Sequence, residues 1–168
     1  MKKIAFVILV CFAVFFTTGC QEEEVSTVNN TVKSGLCEYE PSGIHVIGLT
    51  SIERNPQKNN SSLISIYVSL MDSFDCSIKS PGSFRFELYE YVPRSSQPKG
   101  KRLIVWPDID LADKEENNRY WNDLIRAYNF KLNANINPNA PKNYALQATC
   151  MTGGGKRVSE IFILNSKK

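Results

Sequence analysis

Asp108 and Asp110 are the residues whose type and spacing come closest to a reaction centre. Carboxylates at i and i+2 of an extended segment point to the same side. Within Trp106-Pro107-Asp108-Ile109-Asp110, such a pair could hold Ca²⁺ or divide acid and base work as in glycosidases. The plainer reading is a strand exit where one aspartate caps a turn or the following helix. No D-x-D-x-D-G pattern extends the pair toward a calcium loop. His45 is the single histidine and stands between Ile44 and Val46. A Ser–His–Asp triad needs such a histidine on a pocket rim beside a nucleophile. No G-x-S-x-G elbow marks one, so a surface or packing role is expected. Gly153-Gly154-Gly155-Lys156-Arg157 does not make a phosphate loop, because Arg157 stands where Ser or Thr is required. It reads as a hairpin turn.

Binding chemistry has broader support. Tyr67, Tyr89 and Tyr91 fall on outward positions of two predicted strands. If those strands adjoin, they form an exposed aromatic strip suited to sugars, peptides or a partner protein. The plainer alternative is cross-strand pairing that stabilises a sheet face. Arg94, Lys99, Lys101 and Arg102 make the loop 93–102 basic. Near an anionic surface each charge contributes about 1 kcal/mol. Otherwise it is a solvated loop whose Pro93 and Pro98 keep it from pairing as an edge. Trp106 and Trp121 are expected in the core.

These residues need strands to hold them. Ile64, Ile66, Val68 and Leu70 alternate with polar positions, as do Phe84, Phe86 and Leu88, and Tyr144, Leu146, Ala148 and Cys150. Period two is the mark of a half-buried strand. Weaker candidates cover 44–49, 102–106, 128–132 and 158–164, with Pro, Asn and Gly turns between them. Trp121, Leu124, Ile125 and Tyr128 fall at i, i+3, i+4 and i+7, which predicts a short helix over 114–127. Asp113 and Glu116 supply a capping box. The competing reading is a strand from Tyr120 into Phe130. About seven strands and one short helix predict a mainly β fold, an immunoglobulin-like or related two-sheet β-sandwich.

Cys37, Cys76 and Cys150 lie in this region. Cys76–Cys150 is the favoured disulfide, because each closes a predicted strand of the kind such a sandwich bridges. It would contribute about 4 kcal/mol by constraining the unfolded chain. Three unpaired small core residues are the alternative. A Cys₃His zinc set with His45 has no local chelating pair to start it, so no metal site is assigned.

The first twenty residues give an address. Lys2 and Lys3 precede an unbroken apolar run of 13 residues, Ile4 to Phe16, which is too short to span a bilayer. Thr17-Thr18-Gly19-Cys20 follows. This head resembles the signal peptide and lipobox of bacterial lipoprotein precursors, with Thr17 where that pattern usually has an aliphatic residue. The resemblance covers residues 1–20 and implies that Cys20 is acylated. A plain secretory signal and an uncleaved anchor are the competing readings. Two or three acyl chains hold a protein stably where one does not. Residues 20–37 are polar and Glu-rich, and read as a flexible tether.

The expected organisation is a signal peptide over 1–19, a lipidated tether over 20–37 and a β-sandwich over 38–168. The net charge of +3 falls to +1 without Lys2 and Lys3, which offers no electrostatic case for nucleic acid. Expected partners are the cell membrane or outer membrane through the lipid, and an envelope protein or polymer. The domain would face periplasm or exterior, and no cofactor is called for. The function expected is a non-enzymatic binding or structural module. The alternative is a small exported hydrolase using Asp108 and Asp110.

Overall fold

Alternation along the long strands is what stacks the two sheets. The computed structural model describes residues 40–56, 61–137 and 142–165. The export head, the tether with Cys20, and Cys37 lie outside the described residues. The strands are β1 (Gly43–Val46), β2 (Ser51–Arg54), β3 (Ser62–Met71), β4 (Ser77–Ile78), β5 (Gly82–Tyr91), β6 (Lys99–Val105), β7 (Ile109–Asp110), β8 (Trp121–Asn122), β9 (Ala127–Ala134), β10 (Asn143–Thr152) and β11 (Arg157–Asn165), with one helix, α1 (Lys114–Tyr120). Sheet A runs β1-β3-β9-β8, with β2 and β4 also on β3. Sheet B runs β11-β10-β5-β6, with β7 also on β5. Every registered pairing is antiparallel. The expected two-sheet β-sandwich is what forms, and all seven predicted strands are present.

The additional strands come from interrupted edges. β1 and β2 pair with one edge of β3 in the same direction, separated by the turn 47–50. β6 and β7 share one edge of β5 in the same way, broken at Pro107, which has no N–H to offer the ladder. Short, broken edges resist pairing with a second chain.

The inward residues of β3, β5, β9 and β10 make one core. Phe84 and Phe86 of sheet B meet Tyr128 and Phe130 of sheet A, with ring centroids 4.8–5.1 Å apart in the tilted pairs. Each such ring contributes about 1.5–3 kcal/mol through burial. Gly82 is buried, and a Cβ there would lie 2.8 Å from Cys150 Sγ and 2.9 Å from the Met151 carbonyl, so no side chain fits.

Two expectations need correction. The helix ends at Tyr120, not at 127. Asp113 does cap it, accepting from the N–H groups of Glu115 and Glu116. Beyond it, Trp121 and Asn122 turn back as β8 and pair with Tyr128 and Ala127. A spacing of seven also joins cross-strand partners in a hairpin, so Trp121 meets Tyr128 edge-on at 5.1 Å. Leu124 sits at the hairpin tip, 92% exposed. The second correction is that Cys76 and Cys150 are both free thiols. β3 ends at Met71, and Asp72 then turns the chain by accepting from the N–H groups of Phe74 and Cys76. That turn leaves Cys76 exposed, while Cys150 is buried on the inner face of sheet B.

α1 closes one end through a buried polar node. Asn117 donates to the carbonyls of Ser80 and Leu111, and the Tyr128 hydroxyl lies 2.9 Å from Ser80 O and 3.1 Å from Asn117 Oδ1. Burial raises the Tyr128 pKa, keeping that hydroxyl protonated and able to donate.

Candidate functional site

The outer face of sheet B collects most of the candidate residues. Along β5 the outward positions are Ser83, Arg85, Glu87, Tyr89 and Tyr91, the partners of the inward Phe84, Phe86 and Leu88. Across the ladder, Tyr89 pairs with Ala145, Glu87 with Gln147 and Arg85 with Thr149 on β10. On the other side Tyr89 pairs with Arg102 of β6, after a register shift next to Leu88. A bulge at that point re-aims the β6 side chains.

Four groups converge around Tyr89. Lys99 Nζ stands 5.0 Å from the ring centroid and donates to Gln147 Oε1 at 2.8 Å. Arg102 Nη1 lies 3.3 Å from Glu87 Oε1. Burial first, and then the Glu87 carboxylate, raise the Tyr89 pKa above the ordinary phenol value. The hydroxyl therefore stays protonated, with the Glu87 carboxylate as its acceptor. Nearer β7, Arg85 grips Asp108 with two hydrogen bonds, at 2.7 and 2.6 Å. That contact holds the Asp108 carboxyl below its usual range. Both side chains are about half exposed, so the pair orders the surface more than it stabilises the fold.

A small cleft of about 120 Å³ opens beside this pair, lined by Ser83, Arg85, Asp108, Thr149, Met151 and Arg157. The Thr149 hydroxyl beneath it is buried with no protein partner. The space is enough for a few water molecules or a small polar group.

Several expectations change here. Tyr67 lies on β3 in sheet A, whereas Tyr89 and Tyr91 lie on β5 in sheet B, so the three do not form one strip. The chain crosses between sheets at 79–81, immediately after β4, so β3 and β5, which carry these tyrosines, are not neighbours. Tyr91 pairs with Lys99 at the far end of β5. It helps line a recess with Pro93, Leu103 and Tyr144. Of the basic residues, Lys99 and Arg102 join the Tyr89 cluster, Lys101 is exposed on β6, and Arg94 occupies an exposed turn at φ 59°. Asp108 and Asp110 have separate partners, since Arg85 holds Asp108 and Asp110 accepts from the Ala112 N–H, capping a turn. His45 is on the surface, 3.3 Å from Glu160, which also accepts from the Val46 N–H. Among the described residues no three His, Cys, Asp or Glu side chains gather as metal ligands.

Sequence reasoning missed Glu87 and Gln147 as members of the cluster, and Arg85 as the partner of Asp108. Their outward phase was legible from the alternation of β5 and β10. The missing information was which strands adjoin. Compared with known protein families, characterised proteins and solved structures, the chain matches none.

Proposed function

We propose that the chain is a membrane-anchored lipoprotein whose domain is a non-enzymatic binding or structural module at the cell envelope, with sheet B's outer face as its contact surface. The observation that carries this reading is the Tyr89 cluster. An aromatic ring, two cations, a carboxylate and a carboxamide are held by mutual bonds on three adjoining strands. Such a surface offers a stacking face and fixed donors in one plane, which suits a polymer or protein partner. Exposed Val105 and Ile161 add apolar contact on the same face. Anchoring through Cys20 rests on the export head.

Crosslinking on intact cells, followed by pull-down, tests the reading. The wild-type chain should recover a specific partner, and the Tyr89→Ala/Arg102→Ala variant should lose it while folding normally. Recovery of no partner by wild type, or of the same partner by the variant, removes this face as the contact surface. Cys20→Ala should shift the protein out of the membrane fraction.

A further inference from the structure

Phe74 and Leu124 are the most exposed large apolar side chains among the described residues, at 84% and 92%. Both occupy hairpin tips, and both tips are built alike. The Asp72 carboxylate accepts from the Phe74 N–H at 2.8 Å, and the Asn122 carboxamide accepts from the Leu124 N–H at 3.0 Å. Each turn closes with a non-glycine residue at positive φ, Asp75 at 59° and Arg126 at 51°. Two hairpins thus hold a greasy side chain in water on a fixed backbone, a conformation L-residues adopt at some cost.

The two hairpins are cross-linked by hydrogen bonds. Arg126 Nη2 donates to Ser77 O at 2.8 Å, and Ser69 Oγ reaches Ser77 Oγ at 2.8 Å and Arg126 O at 3.3 Å. They therefore share one end of the sandwich. That end is also where the chain enters. Glu40 accepts from the Thr152 hydroxyl and from the Gly154 N–H, and Ser42 Oγ donates to the carbonyls of Met71 and Asp72. The basic turn at Arg94 lies at the opposite end, beyond the last residue of β5.

We infer that Phe74 and Leu124 form a second point of attachment, dipping into a zwitterionic phospholipid interface beside the lipid on Cys20. The inference rests on the anchoring proposed above. Nineteen residues lie between Cys20 and Glu40, a segment that spans at most about 70 Å when fully extended. Two side chains are too few to hold a free domain on a bilayer. A tether makes the contact intramolecular, at an effective concentration on the order of mM, where weak insertion suffices. Charge selects the surface. On the two tips themselves Asp72, Asp75 and Asp123 outnumber Arg126, so the tips carry no excess positive charge for anionic lipid. The basic turn at Arg94, which composition alone would have offered to a membrane, lies at the opposite end of the sandwich from Glu40.

The test uses the full chain isolated with its native N-terminus and placed in vesicles of phosphatidylcholine with brominated acyl chains. Trp121 opens the Leu124 hairpin and reports on depth. Insertion of the tips by about 5–10 Å should quench the Trp121 part of the emission. Phe74→Ser/Leu124→Ser should stay with the vesicles through its acyl group and lose the quenching, while Val92→Ser at the opposite end should keep it. Replacing part of the lipid by phosphatidylglycerol should not deepen the quenching. An acylated wild type that floats with vesicles but is not quenched, or a double variant quenched as strongly, overturns the second attachment and leaves the anchor intact. Intact mass without acyl groups overturns the anchor, and with it a second attachment that two side chains cannot sustain alone.

Discussion

The inner and outer faces of sheet B are built by alternate residues of the same strands, yet they obey different physics. On β5, Phe84, Phe86 and Leu88 face inward with no exposed surface, while Arg85, Glu87 and Tyr89 face outward. Inside, volume and desolvation decide what is tolerated, because close-packed neighbours cannot relax fully around a change. Outside, screened charge pairs and hydrogen bonds arrange a surface without contributing much stability. One strand therefore carries the fold on its even positions and the candidate contact surface on its odd ones. Substitutions on the two phases should behave as two separate populations.

The largest effect should separate the two thiols. Burial pushes the Cys150 pKa up to about 12, and its sulfur is enclosed, whereas Cys76 is exposed in a turn. Thiolate is the reacting form, and a buried thiol reacts only when the structure opens. Maleimide labelling with peptide mass mapping should modify Cys76 at least about a thousandfold faster than Cys150 in native protein. Comparable rates in native protein would erase the inner-face assignment of Cys150.

Next in size is the core itself. Phe130 of sheet A touches Phe84 and Phe86 across the layer, so Phe130→Ala should lower unfolding free energy by about 3–5 kcal/mol in urea titrations. A loss below about 1 kcal/mol would mean that the aromatic layer does not hold the sheets together.

The smallest effect belongs to the outer face. Arg85 depresses the Asp108 pKa in the folded state, so the pair's contribution is present above the unfolded carboxyl value near 3.9. It is lost as pH falls through the lower folded value. Asp108→Asn should cost less than about 1 kcal/mol at pH 7 and flatten the stability profile below about pH 4. An unchanged acid limb in that variant would show that Arg85 and Asp108 do not pair in solution.

Much of this division was readable in the amino-acid order. Ile64 to Leu70, Phe84 to Leu88 and Tyr144 to Cys150 announce their inward phase, because a side chain on a strand has only two directions. Asp113 was legible as a helix cap from its spacing to Glu116. The helix length was not. Trp121, Leu124, Ile125 and Tyr128 satisfy a helical spacing, and β8 with β9 satisfies the same spacing as a hairpin. In the hairpin Tyr128 joins the aromatic layer, and Asn122 accepts from the Leu124 N–H to form the turn. Cys76 was misplaced for a related reason, since Asp72 ends β3 early by capping the N–H groups that would have extended it.

The sequence by itself determined which residues turn inward, where the turns fall, and that Arg85, Glu87 and Tyr89 share a side of one strand. Those are local properties, set by alternation and by the backbone preferences of Gly, Pro, Asn and Asp. Tertiary structure alone decided that Tyr67 stands on the other sheet, that Lys99 and Arg102 close around Tyr89, and that Phe74 and Leu124 share the end where the chain enters. Neighbourhood between strands depends on long-range pairing, and a period-two pattern carries the phase of a strand but not the identity of its partner.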